Sequence, residues 1–247
     1  MLSKAQSKYI RSLELQKFRE EHKAYLAEGD KIAREWLSAP GRILTIVALE
    51  SWARQHADLI KKHPEAELIL CDEQQLKSIS TLRSPNQVLL VAALPQAAAG
   101  AAQDSWCLAL DAIRDPGNMG TLLRIADWFG IRQVICSPDC TDPFSPKVVQ
   151  SAMGAQLRVQ VLERELPDFI RSSPLPGIAA TLGGSNVYHF QAPPQGILVI
   201  GNESRGLSPE VLAACSQQVM IPRGGGAESL NAGVSAGILC ALLLPHP

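Results

Sequence analysis

The chain has 247 residues, 46% hydrophobic and 19% charged, with a net charge of −1 and a pI near 6.5. That length holds one large domain or two small ones, and the charge balance excludes a uniformly basic nucleic-acid coat while leaving room for a local basic face. No stretch approaches the ~18 uninterrupted apolar residues of a membrane span, and the opening MLSKAQSKYIRSLE lacks the apolar core of a signal peptide.

Residues 4–37 read as helical, with a break at Gly29. Tyr9, Ile10, Leu13 and Leu15 mark one apolar side, and Phe18, Tyr25, Leu26 and Ile32 carry it on. The first 23 residues set Lys4, Lys8, Arg11, Lys17, Arg19 and Lys23 against Glu14, Glu20 and Glu21. By charge alone this is a solvated helix face. After Pro40-Gly41, the apolar run 43–49 suits a buried strand, a helix is expected over 51–62, and 67–71 forms a second strand. A polar helical stretch (72–82) and a third strand (87–94) complete a small α/β unit spanning residues 1–95. PQAAAGAAQD has no large apolar residue, so residues 96–104 are expected to be a linker to a second domain over 105–247.

The second half opens with a strand at 106–111. Pro116-Gly117 reads as a turn, Asn118 as the cap of a helix over 119–129, and Gly130 as its stop. Strand, glycine turn and helix at the start of an α/β domain is where ligand sites form, but the dinucleotide fingerprint G-x-G-x-x-G is absent. Further strands are expected at 131–137, 157–162, 177–182 and 196–204, with helices at 147–153 and 166–171. Gly201 and Gly206 bracket Asn202, Glu203, Ser204 and Arg205, four polar residues at a strand's end, and Ser208-Pro209 starts a short helix.

Residues 218–240 then give a strand end, a stop at Pro222, the flexible Gly224, Gly225 and Gly226, the polar Ser229 and Asn231, and a helix of small and apolar residues. Glycine allows close backbone approach to a ligand, and a helix opening behind such a loop offers unpaired N–H groups and a positive dipole end. A loop with a Ser/Asn helix cap fits the same letters. The six cysteines are scattered. Cys136 and Cys140 are four apart, with no second pair or neighbouring histidine, so no metal site is expected, and reduced thiols in a cytoplasmic protein fit best. The five histidines form no cluster in sequence.

Three segments thus fall at strand ends. N-x-G-T-x-x-R runs through Asn118, Gly120, Thr121 and Arg124. G-N-E-x-x-G-L spans Gly201 to Leu207. Ile221-Pro222 is followed by Ser229, Leu230 and Asn231. In this order they resemble the motifs of the SpoU (TrmH-type) RNA 2′-O-ribose methyltransferases of the SPOUT superfamily. Where many members carry Met after the I-P pair and Val-Ser after S-L-N, this chain has Arg223 and Ala232-Gly233. The resemblance implies an α/β fold: a C-terminal trefoil-knotted SPOUT methyltransferase domain preceded by a small α/β RNA substrate-binding domain. It implies S-adenosyl-L-methionine as cofactor, held around Thr181, Gly201, Asn202, Ile221 and Leu230. It also implies transfer of a methyl group to a ribose 2′-OH of a structured RNA, rRNA or tRNA. Arg124 would act as electrostatic stabiliser or as general base, with Asn118, Glu203, Ser229 and Asn231 orienting the reacting groups. RNA would be held by Lys4, Lys8, Arg11 and Lys17, and a homodimer would form through the knotted domain. The final helix, apolar nearly all round, needs burial on more than one side. A catalytically silent RNA-binding protein of this fold and a base-methylating SPOUT relative are the alternatives. Asn118 as a mere helix cap and Arg124 as a surface ion-pair partner are the simpler roles for those two residues.

Overall fold

The computed structural model describes residues 2–84, 86–95 and 105–245; the expected linker at 96–104 lies outside them. In chain order the elements are α1 (Lys4–Ser12), α2 (Gln16–His22), β1 (Ala24–Glu28), α3 (Asp30–Ser38), β2 (Ile43–Leu49), α4 (Glu50–Gln55), α5 (Ala57–Ile60), β3 (Glu67–Cys71), α6 (Glu73–Ile79) and β4 (Val88–Ala93). There follow β5 (Cys107–Leu110), α7 (Pro116–Trp128), β6 (Gln133–Cys136), α8 (Pro146–Ala152), β7 (Gln160–Glu163), α9 (Leu166–Ser172), β8 (Gly177–Asn186), β9 (Ile197–Ile200), α10 (Pro209–Ala214), β10 (Gln217–Met220) and α11 (Ala232–Leu243). They group into two compact units. One holds residues 1–96 and 142–157, the other 97–141 and 158–247.

The first unit is built on a four-stranded sheet ordered β1-β4-β2-β3, with β2 and β3 parallel and the other pairings antiparallel. Because strand side chains alternate faces, β1 sends Tyr25 and Ala27 into one apolar cluster with Trp36 and Trp52, and Ala24 and Leu26 into another with Ile10, Leu13 and Ile79. This two-faced burial overturns the helix expected through residues 24–28. Lys23, at φ 50°, reverses the chain after α2, and Gly29, at φ 99°, ends the strand. Both rings of the Trp36–Tyr25 pair are buried, Trp36 Nε1 donates to the Tyr25 hydroxyl at 2.8 Å, and burial pushes that phenol up to about 12.

Residues 142–157, which the sequence places in the second half, pack with the first unit. Arg19 Nε donates to Asp142 Oδ2 at 2.8 Å, while Arg19 Nη1 donates to the Leu13 and Glu14 carbonyls. The Tyr25 and Phe144 rings lie 5.0 Å apart, and Val149 joins the tryptophan cluster. Arg19 is therefore buried and paired, and it drops out of the cationic surface that its neighbours in sequence form.

The second unit carries a six-stranded, all-parallel sheet ordered β10-β8-β9-β5-β6-β7. From β5 the chain steps outward through β6 and β7, then crosses to build β8, β9 and β10 on the other side. The β5–β9 boundary is a topological switch point, where crevices open at the carboxyl ends of strands. Strands β5, β6 and β9 are continuous buried runs, such as Leu108-Ala109-Leu110 and Ile197 to Ile200, as strands covered on both faces require, while β7, β8 and β10 are partly exposed.

Candidate active site

The loop after β5 sets the first side of the site. Asp111 is buried, and its Oδ2 accepts from both the backbone N–H and the hydroxyl of Ser208, at 2.7 and 2.8 Å. Ala112 adopts the left-handed backbone (φ 54°), donates its N–H to Ser137 Oγ at 2.9 Å, and offers its carbonyl to Asn202 Nδ2 at 2.9 Å. Asp115, rather than Asn118, caps α7: its Oδ1 accepts from the Asn118 N–H at 2.8 Å. Pro116 fills the first helical position, where a missing N–H costs nothing, so Pro116-Gly117 begin the helix instead of forming a separate turn. The Asn118 side chain, freed from capping, is available to the site.

The loop after β9 forms the second side. Asn202 and Gly206 exchange backbone hydrogen bonds, and Asn202 Oδ1 accepts from the Ser204 and Arg205 N–H groups. Gly201 has to be glycine here, because a Cβ would stand 2.5 Å from the Gly206 carbonyl oxygen. The third side is the glycine loop before α11. Arg223 Nη1 donates to the Ala227 carbonyl at 3.2 Å across Gly224, Gly225 and Gly226. Asn231 caps α11, its Oδ1 accepting from the Gly233 and Val234 N–H groups.

Three side chains tie these loops together. Since Asn231 Oδ1 is committed to the helix cap, its Nδ2 faces Asn118 and donates to Asn118 Oδ1 at 2.8 Å. That fixes the Asn118 amide in turn, and its Nδ2 donates to Glu203 Oε1 at 2.5 Å. A carboxylate is acceptor-only, so the relay has one consistent direction, from the α11 cap through α7 to the β9 loop.

Beside this relay is a cavity of about 980 Å³, lined by Glu203 and by all five residues expected at a cofactor: Thr181, Gly201, Asn202, Ile221 and Leu230. Thr181 Oγ1 is buried and has no hydrogen-bond partner among the described residues. Ser229 lines the cavity too, as do Arg205, Arg223 and Glu228, so the walls carry both signs of charge. Arg124 is not among the lining residues. It lies on the exposed face of α7 with Thr121 and with Trp128, which is 85% exposed, and among the described residues its side chain has no hydrogen-bond partner. Asp111 and Asp115, which hold two of the loops, were missed by sequence reasoning. Their signal was an acidic residue just past a buried strand and another just before Pro at a helix start. Among the described residues no group of three or more His, Cys, Asp or Glu could hold a metal ion, and no helix is long and apolar enough to cross a membrane.

Fold and site together define an α/β protein with a cavity among glycine-flanked loops at the carboxyl ends of a parallel sheet. Residues 105–241 match the SpoU rRNA methylase family, and residues 4–90 match the MRM3-like substrate binding domain. The chain belongs to the SpoU rRNA methylase family. A TrmH-family protein from Porphyromonas gingivalis is similar in structure, with TM-score 0.88 and 36% identity over 99% of this chain and 98% of that one. An AdoMet-bound rRNA methyltransferase from Sinorhizobium meliloti superposes with TM-score 0.85 at 28% identity, covering 97% and 94%. In sequence, a 23S rRNA guanosine 2′-O-methyltransferase of Bacillus subtilis is 28% identical over 93% of this chain and 92% of its own length.

Proposed function

We propose that this protein transfers a methyl group from S-adenosyl-L-methionine to a ribose 2′-OH of rRNA. The observation that carries the proposal is the Asn231–Asn118–Glu203 relay, which joins the three sequence motifs beside a cavity lined by all five residues expected at the cofactor. The cofactor supplies a methyl already activated on its sulfonium. The chain's own residues have to hold that ligand, align the ribose and handle one proton. Backbone around Gly201, Ile221 and Leu230 would grip the adenine, with Thr181 and Asn202 adding polar contacts. Glu203, held by Asn118, and Ser229 would orient the reacting groups. Arg124 would stabilise the developing alkoxide electrostatically, since a guanidinium stays charged and is a poor base.

The exposed stripe of Thr121, Arg124 and Trp128 supports a homodimer through the second unit, with Arg124 serving the cavity of the other copy. On α11, which packs against α7 in the same chain, Val234 and Leu242 are exposed while Leu239 and Leu243 are buried. The two exposed residues, rather than the buried pair, are the contact we assign to the second copy. A knotted path through this unit is supported by β9 lying between β8 and β5. Lys4, Lys8, Arg11 and Lys17, all exposed, would hold the RNA. Six free thiols favour the cytoplasm.

The test is to incubate the full chain with methyl-labelled S-adenosylmethionine and unmodified rRNA, then map the labelled nucleoside by mass spectrometry. A 2′-O-methyl nucleoside supports the assignment. A methylated base would make the protein a base methyltransferase, and RNA binding without cofactor binding would make it a silent relative.

A further inference from the structure

At the α1–α2 corner of the first unit three rings meet outside the core. The Tyr9 and His22 centroids are 5.0 Å apart at 83°, edge to face, and His22 and Phe18 lie 6.3 Å apart at 15°, stacked. Tyr9 leans on the cluster of Ile10 and Leu13, whereas His22 is exposed and Phe18 only half-buried. Leu15, at the start of the same helix as the latter two, is 61% exposed. Lys17 Nζ stands 5.9 Å from the Phe18 centroid.

Around these rings is a cationic frame. Lys4, Lys8 and Arg11 follow one another at helical spacing on one stripe of α1, Lys17 lies in the first turn of α2, and Lys23 caps its end. All five are exposed, and among the described residues none is in an ion pair. The nearby Glu20 is occupied by the Gln16 amide at 2.8 Å. A ring cluster that served only to join two helices would be covered, and a cationic face that served only solubility would not need rings at its centre. Partly exposed rings set among unpaired cations suit a single-stranded nucleic acid: cations follow the phosphates while bases stack on the rings. Duplex RNA hides its base faces and would be held by the cations alone.

We propose that Tyr9, Phe18 and His22 form a stacking platform for unpaired bases of the RNA substrate, with Lys4, Lys8, Arg11, Lys17 and Lys23 holding its backbone. The proposal rests on the assignment of RNA as substrate and narrows it to an RNA that carries a loop or single-stranded stretch.

The test uses the full chain and fluorescence anisotropy with a labelled 12-nucleotide unpaired RNA and a perfect RNA duplex, from about 50 to 300 mM NaCl. Phe18→Ala and His22→Ala should each weaken binding of the unpaired RNA roughly 5- to 150-fold at every salt concentration, leaving the salt slope unchanged. Phe18→Tyr, which keeps a ring, should bind as the wild type does. Lys8→Ala should instead flatten the slope by about 0.7 per lost phosphate contact. Duplex binding should ignore the ring variants. Circular dichroism melts of each variant keep misfolding out of the comparison. Wild-type affinity of folded ring variants for unpaired RNA overturns the platform, as does an equal loss on duplex, whatever the methylation assay reads. Ring-dependent binding in a preparation that methylates no RNA upholds the platform and defeats the enzymatic assignment instead.

Discussion

Replacing Asn118 by aspartate reverses one hydrogen-bonding atom at the middle of the relay and leaves the side chain's shape unchanged. Asn118 Oδ1 accepts from Asn231 and Asn118 Nδ2 donates to Glu203 at 2.5 Å. In Asn118→Asp the first bond survives, and the second becomes two carboxylate oxygens facing each other. At about 3 Å two unit charges repel by about 1.4 kcal/mol in a water-like medium and about 5.5 kcal/mol at an effective dielectric of 20. Asn118 and Glu203 are both half-buried, so the lower part of that range applies. With the lost charged hydrogen bond, the cost is about 2–4 kcal/mol. A domain of this size moves roughly 2–4 °C per kcal/mol, which gives a drop in Tm of roughly 5–15 °C. Repulsion needs both groups ionised. The deficit is therefore larger at pH 8 than in acid, whereas the loss of a neutral contact would be the same at every pH. Adding Glu203→Gln to Asn118→Asp again faces a donor with an acceptor and should recover most of the stability. Thermal melts by circular dichroism at pH 8 and 4.5 read all of this. Equal melting of wild type and Asn118→Asp at pH 8 would refute the relay, as would a double variant no more stable than the single.

Gly201→Ala drives a methyl group into the Gly206–Leu207 backbone, and calorimetry should show S-adenosylmethionine affinity down by ~10-fold or more, the scale of misplacing a binding loop; unchanged affinity would remove this loop from the cofactor site. Arg124→Ala should lower methyl transfer by roughly 10²-fold while cofactor affinity stays within a few-fold; near-normal turnover on rRNA counts against its catalytic role. Trp128→Glu, at a position with little to lose in the monomer, should shift the light-scattering mass toward the 26.6 kDa of one chain; a wild type already at that mass and fully active would sink the dimer. Burial pushes the Cys107 and Cys240 thiols up to about 12, and a hydrogen bond with Cys140 followed by burial raises Cys136 as well. Cys140 moves the other way, lowered first by Cys136 and then by Ser137 and the Ile113 N–H. Brief iodoacetamide treatment at pH 8 should therefore mark Cys140 before those three, and mass mapping that finds Cys107 or Cys240 modified first would contradict this.

The sequence by itself determined the parallel strands of the second unit and the three loops. A strand buried on both faces has to be a continuous apolar run, and a loop that approaches a ligand needs glycine and small polar residues, so both are written locally. The family resemblance that those loops carry named Glu203, Ser229 and the five expected cofactor residues, and all seven line one cavity. Tertiary structure decided the rest. Residues 24–28 carry a helix-compatible apolar spacing, and only the sheet, which offers burial on both faces at once, makes them a strand. Arg19 looks like its cationic neighbours until Asp142, 123 residues away, takes it into the first unit. Asn118 reads as a cap because local spacing cannot tell which of two candidates the backbone N–H will choose; Asp115 takes it, and that choice releases Asn118 to bridge partners 85 and 113 residues distant. Hydrogen bonds between side chains so far apart leave no periodic trace in the chain, because their geometry exists only after the sheet has brought the strand ends together.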